Sequence, residues 1–252
     1  MAGHSKWANI KHRKAAQDSK RGHQFTKIAK EIIISAKLGG GDMNSNPRLR
    51  TAVLKARSFN MPKDNIDKAI KKGTGELEGV NYEEIMYEAY GPNGIAIIIE
   101  VLTDKKSRTV PELKNLLSKA GGSMAESGSV SYLFDHMGIM LIEGENIDED
   151  VLLEHVIESG AEDFEKDDEN SYVIKIQKDN FHDTLKILTP VFEEKGWNIL
   201  SSELRYVPKN LIELEKDKEE KVLTLIENLD AHDDIQNVYS NLDESSEEEN
   251  EE

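Results

Sequence analysis

The chain has 252 residues, of which 37% are apolar and 32% charged, with no cysteine. That composition suits two or three small domains and excludes disulfides and thiolate metal sites. No run approaches the roughly 20 consecutive apolar residues that span a bilayer, so no membrane partner is expected.

The net charge of −17 is unevenly placed. Residues 1–72 hold 17 Lys and Arg against 5 Asp and Glu, a balance of +12, which leaves −29 for the remainder. Such asymmetry points to a polyanion-binding module attached to an acidic body. The last ten residues, 243–252, include seven acids and are expected to form a disordered acidic tail.

Residues 1–16 lack apolar periodicity and read as an extended arm. A helix is expected from about Gln17 to Leu38, with Phe25, Ile28, Ile32, Ile33 and Ala36 on one face and Lys27, Lys30 and Lys37 on another. Gly39 to Gly41 end it. Asn46-Pro47 opens a second helix that buries Leu49, Ala52, Val53 and Ala56, and Met61-Pro62 interrupts it. A third helix carries Ile66, Ala69 and Ile70 and closes at Gly73.

Beyond Gly79 strands alternate with helices. Glu84 to Tyr90 and Ile95 to Thr103 read as a hairpin about Pro92-Asn93-Gly94. Thr109 and Glu112 read as a capping box opening a helix that buries Leu113, Leu116, Leu117 and Ala120, and Ser129 to Phe134 as a strand. Residues 137–206 run strand, helix, strand, strand, helix, strand, the order of the ferredoxin-like unit. A last helix at Val222 to Leu229 and a strand at Ile235 to Tyr239 would complete a second such unit begun at residue 82. The expected fold is α+β: a three-helix domain followed by two ferredoxin-like α/β sandwich domains, one inserted in the other. The expected boundaries are 1–80, 81–135 with 207–242, 136–206 inserted, and the tail.

Catalytic signatures are missing. Gly73, Gly75 and Gly79 have the wrong spacing for a dinucleotide fingerprint and follow a helix, and no Gly-Lys-Ser/Thr phosphate loop occurs. The seven histidines form no i, i+4 pair around a glutamate. The chain is therefore expected to be non-enzymatic, with no cofactor and no metal. Removal of Met1 would expose Ala2-Gly3-His4, a possible copper or nickel chelate, but His4 reads better as part of the arm.

The basic segment carries the chemistry. Lys6, Lys11, Arg13, Lys14, Lys20 and Arg21 are interleaved with His4, Trp7, His12 and His23. Lysine and arginine neutralise phosphates and release counterions, while tryptophan and histidine stack on unpaired bases. Solvated surface charge explains Lys71 and Lys72, which sit at a helix C-terminus, better than it explains an arm with few acids.

The opening Met1-Ala2-Gly3-His4-Ser5-Lys6-Trp7-Ala8-Asn9-Ile10-Lys11-His12-Arg13-Lys14 resembles the start of the YebC family. Lys37-Leu38-Gly39-Gly40-Gly41-Asp42, Asn46-Pro47-Arg48-Leu49-Arg50, Tyr87-Glu88-Ala89-Tyr90-Gly91-Pro92 and Gly128-Ser129-Val130-Ser131-Tyr132-Leu133-Phe134 resemble it too. The resemblance implies a helical domain followed by two α/β domains, and a bacterial cytoplasmic member, since the motif begins at Met1. Family members are described as DNA-binding transcriptional regulators, mitochondrial relatives are translational activators, and bacterial members have been connected with relief of ribosome stalling. By position, the implied contacts are the Gly3 to Lys14 arm, including Ser5, the basic face through Lys27 and Lys30, and Arg108. The loop before Arg108 reads Asp104-Lys105-Lys106-Ser107 where the family often has asparagines, so it offers charge in place of amide contacts.

The expected function is a nucleic-acid-binding regulator of gene expression, acting on RNA at the ribosome as a translation factor, with ribosomal RNA or tRNA as the favoured partner. A DNA-binding transcriptional regulator is the alternative, and a protein–protein adaptor a third. No helix-turn-helix with polar base-reading side chains is evident, and the acidic body would repel duplex DNA.

Overall fold

In the computed structural model the described residues are 21–244. Their elements run α1 (Arg21–Gly39), α2 (Pro47–Ser58), α3 (Lys63–Thr74), β1 (Glu83–Tyr90), β2 (Ala96–Thr103), α4 (Lys106–Lys119), β3 (Ser123–Met124), β4 (Phe134–Glu143), α5 (Glu149–Glu158), β5 (Asp163–Asp168), β6 (Ser171–Gln177), α6 (Phe181–Lys195), β7 (Asn198–Pro208), β8 (Ile212–Glu213), α7 (Lys216–Asp230), β9 (Ile235–Ser240) and β10 (Leu242–Asp243). The fold is α+β, with three helices followed by two four-stranded antiparallel sheets, each carrying helices. In sequence, the second sandwich is inserted into the first. The described residues form two compact units, one of residues 21–131 with Leu214–Leu242, the other Tyr132–Glu213.

In the first unit the three helices share a core of Ile28, Ile32, Ala36, Leu49, Val53, Ala56, Ile66 and Ala69. Asn46 joins two of them. Its Oδ1 accepts from the Leu49 N–H at 3.1 Å and so caps α2, while its Nδ2 donates to the carbonyls of Ser35 and Gly40, each at 2.8 Å. This buried amide sits so close to Gly39 that a Cβ there would lie 2.6 Å from Nδ2, which only glycine avoids.

The sheet of this unit has the order β3-β1-β2-β9. Strand β2 alternates: Ile97, Ile99 and Val101 pack with Leu113 and Leu117 of α4 and with Val222, Leu225 and Leu229 of α7. Helix α4 begins at Lys106, three residues before the expected cap, so Thr109 lies inside it. Thr109 does not cap because its hydroxyl binds the Asp234 carboxylate at 2.8 Å. Nor are residues 129–133 a strand, which begins only at Phe134. There the Gly128, Val130 and Ser131 N–H groups donate to the Glu88 carboxylate at 2.7, 2.5 and 2.8 Å, and a side chain replaces the ladder.

In the second unit the sheet order β5-β6-β4-β7 is that of the ferredoxin-like unit. Met140, Ile142, Ile174 and Ile176 pack with Leu152 and Val156 of α5 and with Phe181, Leu188 and Phe192 of α6. Gly138 lets α6 approach, for a Cβ there would lie 2.2 Å from the Phe181 ring. Among the described residues no helix is long and apolar enough to cross a membrane.

Candidate nucleic-acid interface

Helix α1 is buried on more than one face. Its apolar stripe meets α2 and α3, while Lys27 and Lys30, one turn apart, are 4% and 7% exposed. A lysine ammonium is buried only where carboxylates and carbonyls replace its water. The turn between α7 and β9, Asp230-Ala231-His232-Asp233-Asp234, supplies them.

Lys27 Nζ lies 2.9 Å from Asp230 Oδ1 and donates to the Asp230 carbonyl at 2.7 Å. Lys30 Nζ lies 2.7 Å from Asp234 Oδ1 and donates to the Asp233 carbonyl at 2.8 Å. It also stands 5.5 Å from the centre of the Tyr82 ring. His23 faces the same turn, with Nδ1 2.8 Å from Asp233 Oδ1 and Nε2 3.1 Å from the Asp230 carbonyl. Burial pushes the Lys27 ammonium below its ordinary pKa, and Asp230 works against that shift.

Asp234 is shared. Its Oδ2 accepts from Arg108 at 2.8 Å, Thr109 at 2.8 Å and Thr103 at 3.1 Å. Burial alone would raise its pKa, but hydrogen bonds from Arg108, Lys30 and Thr109 outweigh that and hold it well below the usual carboxylate range. His232 completes the cluster: Nδ1 accepts from the Asp234 N–H at 3.0 Å, so Nε2 is the donor to Glu112, 2.8 Å away.

Glu112, His232 and Asp234 bring three possible metal-ligand atoms within 4.8 Å of one another. The donor set does not suit a cation. Both Asp234 oxygens are committed to cations and hydroxyls, and His232 Nδ1 already accepts a backbone N–H. The cluster is an ion-pair junction joining α1, α4 and the α7–β9 turn.

This geometry corrects two expectations. Lys27 and Lys30 point at the acidic turn, not at solvent, because the carboxylates and carbonyls of that turn replace the water their ammonium groups lose. Arg108 is intermediate: its side chain is 42% exposed but bonds both Asp104 and Asp234 at 2.8 Å. His4, Ser5, Lys6, Trp7, Lys11, His12, Arg13, Lys14 and Lys20 lie outside the described residues, as does the side chain of Arg21.

Other cations are open. Lys55 and Arg57 of α2, and Lys63, Lys68, Lys71 and Lys72 of α3, are all exposed. Among the described residues none of them forms an ion pair, whereas Arg48 is tied to Glu31 at 2.7 Å and to Glu84. The apolar sides of α2 and α3, Leu49, Ala52, Val53, Ala56, Ile66 and Ala69, face inward, which forces these six cations outward. The sequence signal was available: each lies off the apolar stripe of its helix. At those positions it resembled ordinary solvated charge.

A cationic surface without paired carboxylates can neutralise successive phosphates. Contacts to phosphate position a polyanion without by themselves specifying its sequence.

Two family models cover the chain: the TACO1/YebC protein N-terminal domain matches residues 5–76, and the TACO1/YebC second and third domain matches residues 82–242. A protein of Dictyoglomus turgidum named "probable transcriptional regulatory protein" is 50% identical over 244 residues, 96% of each chain. A similarly named protein of Treponema denticola is 48% identical over 243 residues, again 96% of each. The crystal structure of a conserved hypothetical protein from Aquifex aeolicus superposes with a TM-score of 0.79 at 36% identity, covering 93% of this chain and 95% of that one. The chain belongs to the TACO1/YebC family.

Proposed function

We propose that the protein is a non-enzymatic, nucleic-acid-binding regulator of gene expression, acting on structured RNA at the ribosome as a translation factor that relieves stalling. The observation carrying this reading is the set of exposed cations on α2 and α3, which form no ion pair among the described residues and belong to the same basic N-terminal third of the sequence as the segment before α1. Polyphosphate is the ligand such a surface favours. RNA is preferred over DNA because no helix-turn-helix is evident in the sequence, the acidic body would repel duplex DNA, and folded RNA is recognised largely by shape and backbone. Against catalysis stands the polar junction at Asp234, whose carboxylate is already satisfied by side chains of the fold.

A second reading, a DNA-binding transcriptional regulator, is favoured by the names of the relatives. One experiment separates the two: sedimentation of the protein with translating ribosomes, beside retention of duplex DNA at moderate salt. Co-sedimentation that is lost on replacing Lys11, Arg13 and Lys14, or Arg57, Lys68 and Lys71, supports the translation factor. Sequence-selective DNA retention without ribosome association overturns it in favour of the transcriptional reading. Failure of both polymers to bind leaves the protein as an adaptor.

A further inference from the structure

The unit Tyr132–Glu213 differs in charge from the helical part. Residues 132–213 hold 20 acidic and 7 basic side chains, a balance of −13. A surface of this sign repels nucleic acid, so its role differs from that of α2 and α3.

Helix α5 concentrates the difference. Leu152 and Val156, one turn apart, are buried in the core of the unit. On the outward side Asp150, Leu153, Glu154, Ile157 and Glu158 follow the i, i+3, i+4, i+7, i+8 spacing of a single helix face. All five are exposed, and the two apolar members are 44% and 66% exposed. Isolated exposed leucines are unremarkable on a protein surface. Two large aliphatic side chains on successive turns, bordered by carboxylates, form a second amphipathic face on a helix whose first face already serves the core. Among the described residues Asp150 and Glu154 have no cationic partner, and Glu158 meets only His155, at 4.0 Å.

We propose that this outward face of α5 is a docking surface for a cationic amphipathic segment of a protein partner. The segment would lay a short apolar ridge on Leu153 and Ile157 and place lysine or arginine against Asp150, Glu154 and Glu158. Charge decides the occupant. Nucleic acid and anionic lipid headgroups would meet like charge. A second copy of this chain pairing face to face would set the same carboxylates against one another, an arrangement that costs free energy. A cationic peptide gains from both parts: the apolar ridge removes Leu153 and Ile157 from water, and the flanking charges fix its register. Basic protein segments are abundant wherever nucleic acid is packaged or read, which is where the helical surface would take this protein.

The test uses the full chain and two synthetic peptides of equal charge, one an alternating leucine/lysine amphipathic helix, the other lysine and glycine only. Binding is read by calorimetry and by amide hydrogen exchange. The leucine/lysine peptide should bind more tightly and protect residues of Glu149–Glu158. Leu153→Ser with Ile157→Ser should weaken it by about tenfold, or roughly 1.4 kcal/mol, and Glu154→Gln with Glu158→Gln should do likewise. All four positions are solvent-facing, so melting curves should match the parent. Equal binding of the two peptides would reduce the surface to bulk charge and overturn the proposal, as would protection elsewhere in the chain. Concentration-dependent dimerisation abolished by the Leu153→Ser, Ile157→Ser variant would also overturn it, by assigning the face to a second copy. A large gain in peptide binding on deleting residues 1–20 would give the face to the chain's own basic segment, likewise against an external partner.

Discussion

Lys30 Nζ on α1 stands 2.7 Å from Asp234 Oδ1 on the α7–β9 turn, with side chains only 8% and 3% exposed. The partners are 204 residues apart in sequence, and the same carboxylate receives Arg108 of α4. One buried aspartate therefore pins the basic stripe of the first helix to the sandwich. Such a pair adds little over a well-packed apolar contact, yet stranding one partner is costly, because the remaining charge keeps its desolvation penalty without its counterion.

Asp234→Ala strands the buried Lys30, while Arg108 keeps Asp104, and should lower stability by about 3–5 kcal/mol in urea unfolding. Lys30→Met should cost less, since Asp234 keeps Arg108, Thr103 and Thr109. Equal losses for the two variants would show that Asp234 is not the hub.

Acid should loosen the first unit. The Asp234 carboxyl is held low by Arg108, Lys30 and Thr109 against the opposing effect of burial, and Glu88 is held low by the N–H groups of Gly128, Ser131 and Val130 against the same opposition. With folded pKa values below the unfolded ones, the unfolded chain binds more protons in the acid range. Their stabilisation is therefore complete above the ordinary carboxylate values of about 4 and declines as pH falls below them. The urea midpoint should drop below about pH 4, and the drop should be shallower in Asp234→Asn. An identical acid profile in that variant would remove Asp234 from the explanation.

Buried and exposed lysines should separate in a salt titration. Arg57→Glu with Lys68→Glu should weaken binding to RNA or duplex DNA and flatten the salt dependence, by roughly 0.9 per lost contact in the case of duplex DNA. Stability should change by no more than about 0.5 kcal/mol per substitution. Lys27→Met should do the reverse, altering stability while leaving the salt slope intact, because its ammonium is committed to Asp230.

Asn46 serves two helix ends with two different atoms. Asn46→Ala should cost about 1 kcal/mol for the lost α2 cap, and more because the Ser35 and Gly40 carbonyls lose their donor. Asn46→Ser keeps an acceptor for the Leu49 N–H and should fall between the parent and the alanine variant in thermal unfolding.

Much of the framework was legible locally. The 3.6-residue spacing of Leu49, Val53 and Ala56, the Asn46-Pro47 start and the turn at Pro92-Asn93-Gly94 are short-range signals, and the helices and hairpin follow them. The near-continuous apolar run of β2 marked a strand but not which of its residues meet the helices, since both of its faces are buried. The errors arose where a distant carboxylate intervened. Thr109 has the sequence of a helix cap but turns to Asp234, and the segment at Val130 has the apolar content of a strand but gives its N–H groups to Glu88.

The amino-acid sequence by itself determined the elements, the separation of charge between the two ends and the membership of the family, because periodicity, composition and motif are properties of neighbouring residues. Which cations remain available was decided only by the tertiary structure. Lys27 and Lys68 look alike as side chains on amphipathic helices, yet one is desolvated against Asp230 and the other meets solvent. The difference lies in a contact 203 residues away, and burial, which makes a charge structural or accessible, exists only once the chain has closed on itself.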